Sequence, residues 1–302
     1  MTVTTKTGNP LTSKMILCLL AVYIVWGSTY LGMKIATRAV PPFLISALRF
    51  LLAGSILLAI GYYKERTWPM KKQLLSACFV GVLLIGIGNT SVALAVHYMP
   101  SGLVALIVAA MPAWFVGLDW AFFSKKKPAL LTVAGIVLGF VGLFILFNPF
   151  SARNIDSFPL WPVGIVAFGS ICWATGSLFV QRLPMPTQMT STAIQMLAGS
   201  IFSFAASAFL EPDAWGTLAG ITAETTTAYL YLVFIGSLVG YTSYSWLTRN
   251  APPRLTATYA YVNPVVAMLL GWAIGNEAVT PLIGIASAIV IAGVILMTLG
   301  KK

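Results

Sequence analysis

The chain is a succession of apolar runs. About ten stretches, near residues 14–36, 43–63, 73–96, 101–123, 129–147, 160–181, 190–210, 227–247, 255–275 and 281–299, are each roughly the twenty residues a helix needs to cross hydrocarbon. The composition leaves little choice. With 59% hydrophobic and 8% charged residues among 302, the chain has too little charge to cover soluble domains, in which about a quarter of residues are charged. An all-α integral membrane protein is expected. The first run follows a polar segment, is about twenty residues long and has no small-residue cleavage site after it, so it reads as a retained span and not a signal peptide. Short connections, many marked by proline (Pro41-Pro42, Pro100, Pro128, Pro184, Pro186, Pro252-Pro253, Pro281), make successive helices neighbours.

The runs fall into two copies. Shifting the sequence by 152 residues lays Gly88–Phe123 on Gly240–Gly275 with ten identities in 36 positions, among them Pro100 on Pro252, Pro112 on Pro264 and Trp120 on Trp272. A shift of 145 lays Pro41 on Pro186 and the pentapeptide Leu52–Ile56 on the identical Leu197–Ile201. The expected organisation is a cytoplasmic segment 1–13, a first five-helix repeat 14–147, a periplasmic linker 148–158 and a second repeat 159–300.

Charge sets the orientation. Lys6, Lys14, Lys64, Arg66, Lys71, Lys72, Lys125, Lys126, Lys127, Arg182, Arg249, Arg254, Lys301 and Lys302 fall on one side of the membrane. Only Lys34, Arg38 and Arg153 fall on the other, with Arg49 inside a span. The positive-inside rule puts the rich side, with both termini, in the cytoplasm. Five spans per copy is an odd number, so the second copy enters the membrane from the opposite side. Ten helices in two inverted repeats form the architecture of alternating-access carriers.

Net charge +11 is thus a matter of topology, and no basic stripe interleaved with aromatics points to nucleic acid. Cys18, Cys78 and Cys172 lie in apolar runs without a CxxC and read as fillers, and the single histidine, His97, excludes a histidine-based metal cluster. An intramembrane enzyme lacks its nucleophile with a base, or its carboxylate pair. No cofactor or metal is expected.

Lipid asks for no polarity, so polar residues at mid-depth mark the bundle interior. Thr256, Tyr259 and Asn263 recur on one helix face in the ninth run, while their counterparts Val104, Ile107 and Met111 in the fourth are apolar, giving one polar and one greasy wall. Trp26, Thr29 and Tyr30 share a face in the first run, and Trp173 and Ser177 do so in the sixth. Asn89 aligns with Tyr241, near which Tyr244 is also available, and Gln195 lies mid-span in the seventh. The candidate substrate-binding set is Trp26, Tyr30, Arg49, Asn89, Trp173, Gln195, Tyr241, Tyr259 and Asn263. The competing reading of each is an interhelical hydrogen bond worth about 0.6 kcal/mol.

Arg49 is the most costly residue, at about 2.5 to 3.5 kcal/mol for insertion at a central position. It suits a substrate carboxylate or phosphate; the rival role is tying helices through backbone carbonyls. Asp119 is the one carboxylate inside a span, and is either a proton-coupling group or an interfacial partner of the nearby lysines. Pro112 and Pro264 are candidate hinges, with plain packing kinks as the rival. Gly135, Gly139 and Gly142, with Gly284, Ala288 and Gly293, allow close backbone approach within the molecule or in a dimer.

The runs Trp26–Lys34 (WGSTYLGMK), Ala47–Gly54 (ALRFLLAG) and Tyr261–Trp272 (YVNPVVAMLLGW), with Gly275–Glu277 after it, resemble the drug/metabolite transporter superfamily, EamA type, over essentially the whole chain. The family's glycine-glutamate pair is here Gly275-Asn276-Glu277, so no role passes to Glu277. The resemblance implies a bacterial inner-membrane carrier with a central cavity between the halves. The expected function is secondary export of small metabolites such as amino acids by a monomer. Sugar-phosphate or nucleotide-sugar exchange and multidrug export are alternatives within the superfamily, and a channel or non-transporting scaffold is the alternative class.

Overall fold

The computed structural model describes residues 12–147, 159–273 and 281–299. The expected linker 148–158, the Gly275–Glu277 motif and most of both terminal segments lie outside the described residues. Among those described there are only helices, turns and loops. Six helices are long and apolar enough to span a bilayer: α1 (Ser13–Ala36), α2 (Pro42–Glu65), α3 (Lys71–Tyr98), α7 (Trp161–Val180), α8 (Gln188–Leu210) and α9 (Ala223–Asn250). The expected fourth span is divided into α4 (Ser101–Val108) and α5 (Met111–Leu118), followed by a π turn, Asp119–Phe123. The ninth is divided into α10 (Pro253–Thr256) and α11 (Tyr259–Ala273). Helices α6 (Leu130–Phe147) and α12 (Pro281–Leu299) end the two halves.

The helix ends follow from their residues. Thr12 caps α1 through the Met15 amide at 3.3 Å, and Thr222 caps α9 through Thr225 at 3.2 Å, satisfying donors the first turn leaves free. Pro42 opens α2, where its missing N–H costs nothing. The next two amides of α2, Phe43 and Leu44, donate to the Glu211 carboxylate at 2.9 and 3.0 Å. Glu211 follows the last residue of α8. At the other end Glu65, the last residue of α2, accepts the hydroxyls of Thr187 and Thr190, the latter at 2.6 Å, where α8 begins. Each helix therefore ends in a carboxylate held at the start of the other, where the helix dipole favours negative charge. Helix α2 and its repeat counterpart α8 run antiparallel, the relation that oppositely directed copies require.

The repeated pentapeptides meet along this pair. A β-carbon on Gly54 would lie 3.0 Å from Leu197 Cγ, and Ser200 donates to the Ala47 carbonyl at 2.8 Å. The small residues of α6 and α12 serve packing inside the chain. A β-carbon on Gly135 would lie 2.5 Å from the Gly293 carbonyl, and one on Gly293 would lie 2.7 Å from that of Gly135.

The middle of α3, Val82–Asn89, and the middle of α9, Leu232–Tyr241, are π-helical and end at the equivalent residues Asn89 and Tyr241. Such segments recur at functional sites. The prolines sit differently in the two halves: Pro112 is at the start of α5, just past the break at residues 109–110, whereas Pro264 lies inside α11, several residues beyond the break at 257–258.

Candidate functional site

Seven of the nine substrate-binding candidates line one chamber in the middle of the bundle. Trp26 and Tyr30 enter from α1, Arg49 from α2, Asn89 from α3, Trp173 from α7, and Tyr259 and Asn263 from α11; the chamber holds about 50 Å³. Thr29, Ser170, Val108 and Met111 complete its wall. Of the polar and greasy walls expected from the ninth and fourth runs, Tyr259, Asn263 and Met111 line this space, whereas Thr256, Val104 and Ile107 are not in its lining.

Four rings close one side of it. Trp26 lies 5.4 Å from Trp173, 4.8 Å from Tyr244 and 5.1 Å from Tyr259 between ring centroids, and Trp173 lies 5.2 Å from Tyr244. Contacts of this kind contribute about 0.5 to 1.5 kcal/mol each. The Tyr244 hydroxyl accepts from Trp173 Nε1 at 2.7 Å and pairs with the Ser177 hydroxyl at 2.6 Å, while Trp26 Nε1 donates to the Gly236 carbonyl at 3.3 Å. The cluster joins α1, α7, α9 and α11.

Arg49 is 4% exposed. Its Nε donates to Ser237 Oγ at 2.8 Å, and Ser237 donates in turn to the Leu232 carbonyl at 3.0 Å across a π turn. A β-carbon on Gly236 would stand 2.9 Å from Arg49 Nη2, so glycine there leaves room for the guanidinium. Among the described residues the ion pairs are Arg38 with Glu224 and Arg182 with Asp119, and neither involves Arg49. The Asn89 side-chain oxygen is buried without a hydrogen bond. Asn263 is better satisfied: with its amide nitrogen as donor it reaches the carbonyls of Tyr259 at 3.0 Å and Tyr23 at 3.1 Å.

The remaining candidates lie elsewhere. Tyr241 is outside the chamber lining but borders the aromatic cluster, its ring 6.4 Å from Trp26, 6.1 Å from Trp173 and 6.2 Å from Tyr244; its hydroxyl donates to Gln195 Oε1 at 2.7 Å, and Gln195 Nε2 donates to Ser191 at 3.0 Å. Asp119 is at the lysine-rich end of the bundle, paired with Arg182 at 2.9 Å and not with the Lys125–Lys127 run. Neither Pro112 nor Pro264 lines the chamber. Cys18, Cys78 and Cys172 are free, and no group of metal-ligating side chains occurs among the described residues.

Ser237 and Ser170 escaped the sequence reading. Both are single hydroxyls in apolar stretches, and helical spacing gives no sign that one faces an arginine 188 residues earlier in the chain. A larger crevice, about 830 Å³, opens at the Glu211 end between Phe43, Thr90, His97, Phe168 and Phe202. It and the chamber flank the tight contact of Ser91 with Gly169. Two of its polar groups are engaged: Glu211 holds the start of α2, and His97 Nδ1 lies 2.9 Å from the Thr37 carbonyl.

A doubled helical membrane bundle around a small polar and aromatic chamber is the frame of a carrier. Residues 13–148 and 160–299 each match the EamA-like transporter family, and the chain belongs to that family, within the drug/metabolite transporter superfamily. It is 36% identical to the uncharacterised inner membrane transporter YedA of Escherichia coli, over 94% of this chain and 90% of that one. It is 25% identical to a probable amino-acid metabolite efflux pump of Salmonella typhimurium, covering 94% of each. A solved structure with 20% identity superposes with a TM-score of 0.72 over 94% of this chain and 96% of that chain.

Proposed function

We propose that the chain is a secondary carrier of the bacterial inner membrane, with both termini in the cytoplasm, that exports small amphiphilic metabolites such as amino acids by alternating access. The observation that carries this reading is the pairing, in one chamber, of a buried arginine and a buried Asn89 oxygen that have, among the described residues, no carboxylate partner and no hydrogen bond respectively, beside aromatic rings. A carboxylate suits the guanidinium. An ammonium suits the amide oxygen and the ring faces, and an apolar side chain suits Val108 and Met111. A sugar phosphate would meet Arg49 equally well but would leave the greasy wall without a partner.

At about 50 Å³ the chamber is far smaller than the roughly 300–1,000 Å³ of pockets that hold small ligands. Substrate entry therefore requires the helices around it to part, as alternation of two oppositely directed halves supplies. The name of the Salmonella relative supports the substrate class, and the inner-membrane name of the Escherichia coli relative supports the location. Counterflow of radiolabelled amino acids in proteoliposomes tests the proposal. Acceleration by the same amino acid on the far side is expected. Flux without such acceleration would mean a channel, and no flux for any amino acid would remove the substrate class.

A further inference from the structure

We propose that in the absence of substrate the central chamber binds a monovalent anion of halide size against Arg49. The guanidinium is 4% exposed; its Nε donates to Ser237 and its carbon lies 4.7 Å from the centre of the Phe50 ring, contacts that supply no negative charge. The terminal nitrogens of Arg49 make no hydrogen bond among the described residues, and the residue lines the chamber. A buried charge is tolerated when it is paired and hydrogen-bonded, and breaking such a pair leaves the survivor strongly unfavourable. The ion pairs found among the described residues supply no carboxylate to Arg49.

One buried cation calls for one counter-charge. Chloride or bromide supplies it in the chamber that Arg49 lines, whereas sulfate would leave its second charge unpaired in the bilayer interior. The Ser170 hydroxyl lines the same space, makes no hydrogen bond among the described residues and supplies a second donor. Water would solvate the guanidinium without neutralising it. The halide would hold the place that a substrate carboxylate takes, so the two compete, and a resting carrier would not leave a bare charge in the bilayer interior.

The inference rests on the reading of Arg49 as the anion-recognising group, and its test separates the two. Purified protein in gluconate buffer is titrated with chloride, bromide and sulfate while the melting temperature is followed. A saturable rise with chloride and bromide, absent with sulfate and lost in Arg49→Gln, is expected. Bromide-soaked crystals should show an anomalous peak within hydrogen-bond distance of Arg49, a readout that needs no variant. In transport, chloride should raise the apparent KM for substrate and leave the maximal rate unchanged. Equal shifts with sulfate, or no peak at Arg49, would overturn the halide site. If Arg49-dependent amino-acid counterflow survives that result, the halide proposal alone falls; if counterflow is also independent of Arg49, the substrate reading falls with it.

Discussion

The broken helix α4–α5 and its equivalent α10–α11 pack against each other, both border one chamber, and they differ in chemistry. Val104 and Met111 are buried where Thr256 and Asn263 are buried in the other copy. On the α11 side, Thr256 reaches the Leu247 and Pro252 carbonyls at 3.4 and 3.3 Å, Thr258 pairs with Tyr23 at 2.6 Å, and Asn263 bridges Tyr259 and Tyr23. On the α5 side the walls are apolar contacts. Burial is the same in both, so the doubled backbone settles where residues go and leaves polarity free, provided each buried polar group finds a partner. A symmetric fold thereby carries an asymmetric site.

The largest way to break this comparison is to remove the charge that the polar side serves. In a folded Arg49→Ala protein, counterflow of a carboxylate-bearing substrate should fall by about two orders of magnitude or more, in keeping with the ~2–5 kcal/mol lost when a buried charge pair is truncated. Unchanged counterflow would take Arg49 out of the site.

Next comes the pair of equivalent positions. Asn263→Leu leaves the Tyr23 carbonyl without its side-chain donor and should cost about 1–3 kcal/mol in thermal unfolding. Met111→Leu, a swap of similar volume, should cost less than about 1.5 kcal/mol. Equal losses for the two would mean that the walls are not different in kind.

A smaller effect is expected at the aromatic cluster. Trp173→Phe keeps the ring contacts and deletes the hydrogen bond to Tyr244, a loss of about 0.5–1.5 kcal/mol readable as a lowered melting temperature. No change would show that the bond is not needed to hold α7 against α9.

Asp119→Asn should do least. Its pair with Arg182 is about one-third exposed, and pairs of that kind contribute about 0–1 kcal/mol before screening by salt. Substrate binding, measured by thermal shift, should stay intact. Loss of pH-driven uptake with binding preserved would instead assign Asp119 to coupling.

Much of the fold was legible because bilayer crossing imposes length and apolarity on each run, and because Pro41, Pro112, Gly88 and their partners punctuate both copies alike. The breaks at 109–110 and 257–258 were not, since Pro112 and Pro264 read as equivalent hinges and only the first lies at a break. Of the nine residues that mid-depth polarity picked out, Trp26, Tyr30, Arg49, Asn89, Trp173, Tyr259 and Asn263 line the chamber. The same signal also chose Gln195 and Tyr241, which satisfy one another outside the chamber lining. Polarity in a span says that a group faces protein; it does not say whether the facing group is a ligand or a neighbour.

The sequence by itself determined the membrane class, the doubling and the positions that must face inward, because hydrophobic length and periodicity act along the chain. Tertiary structure alone decided which inward residues share a space. The reciprocal carboxylates Glu65 and Glu211, the Ser237 contact that holds Arg49, and the chamber itself join residues far apart in sequence. Such contacts depend on how helices pack across the bundle, and no periodicity within one helix encodes that.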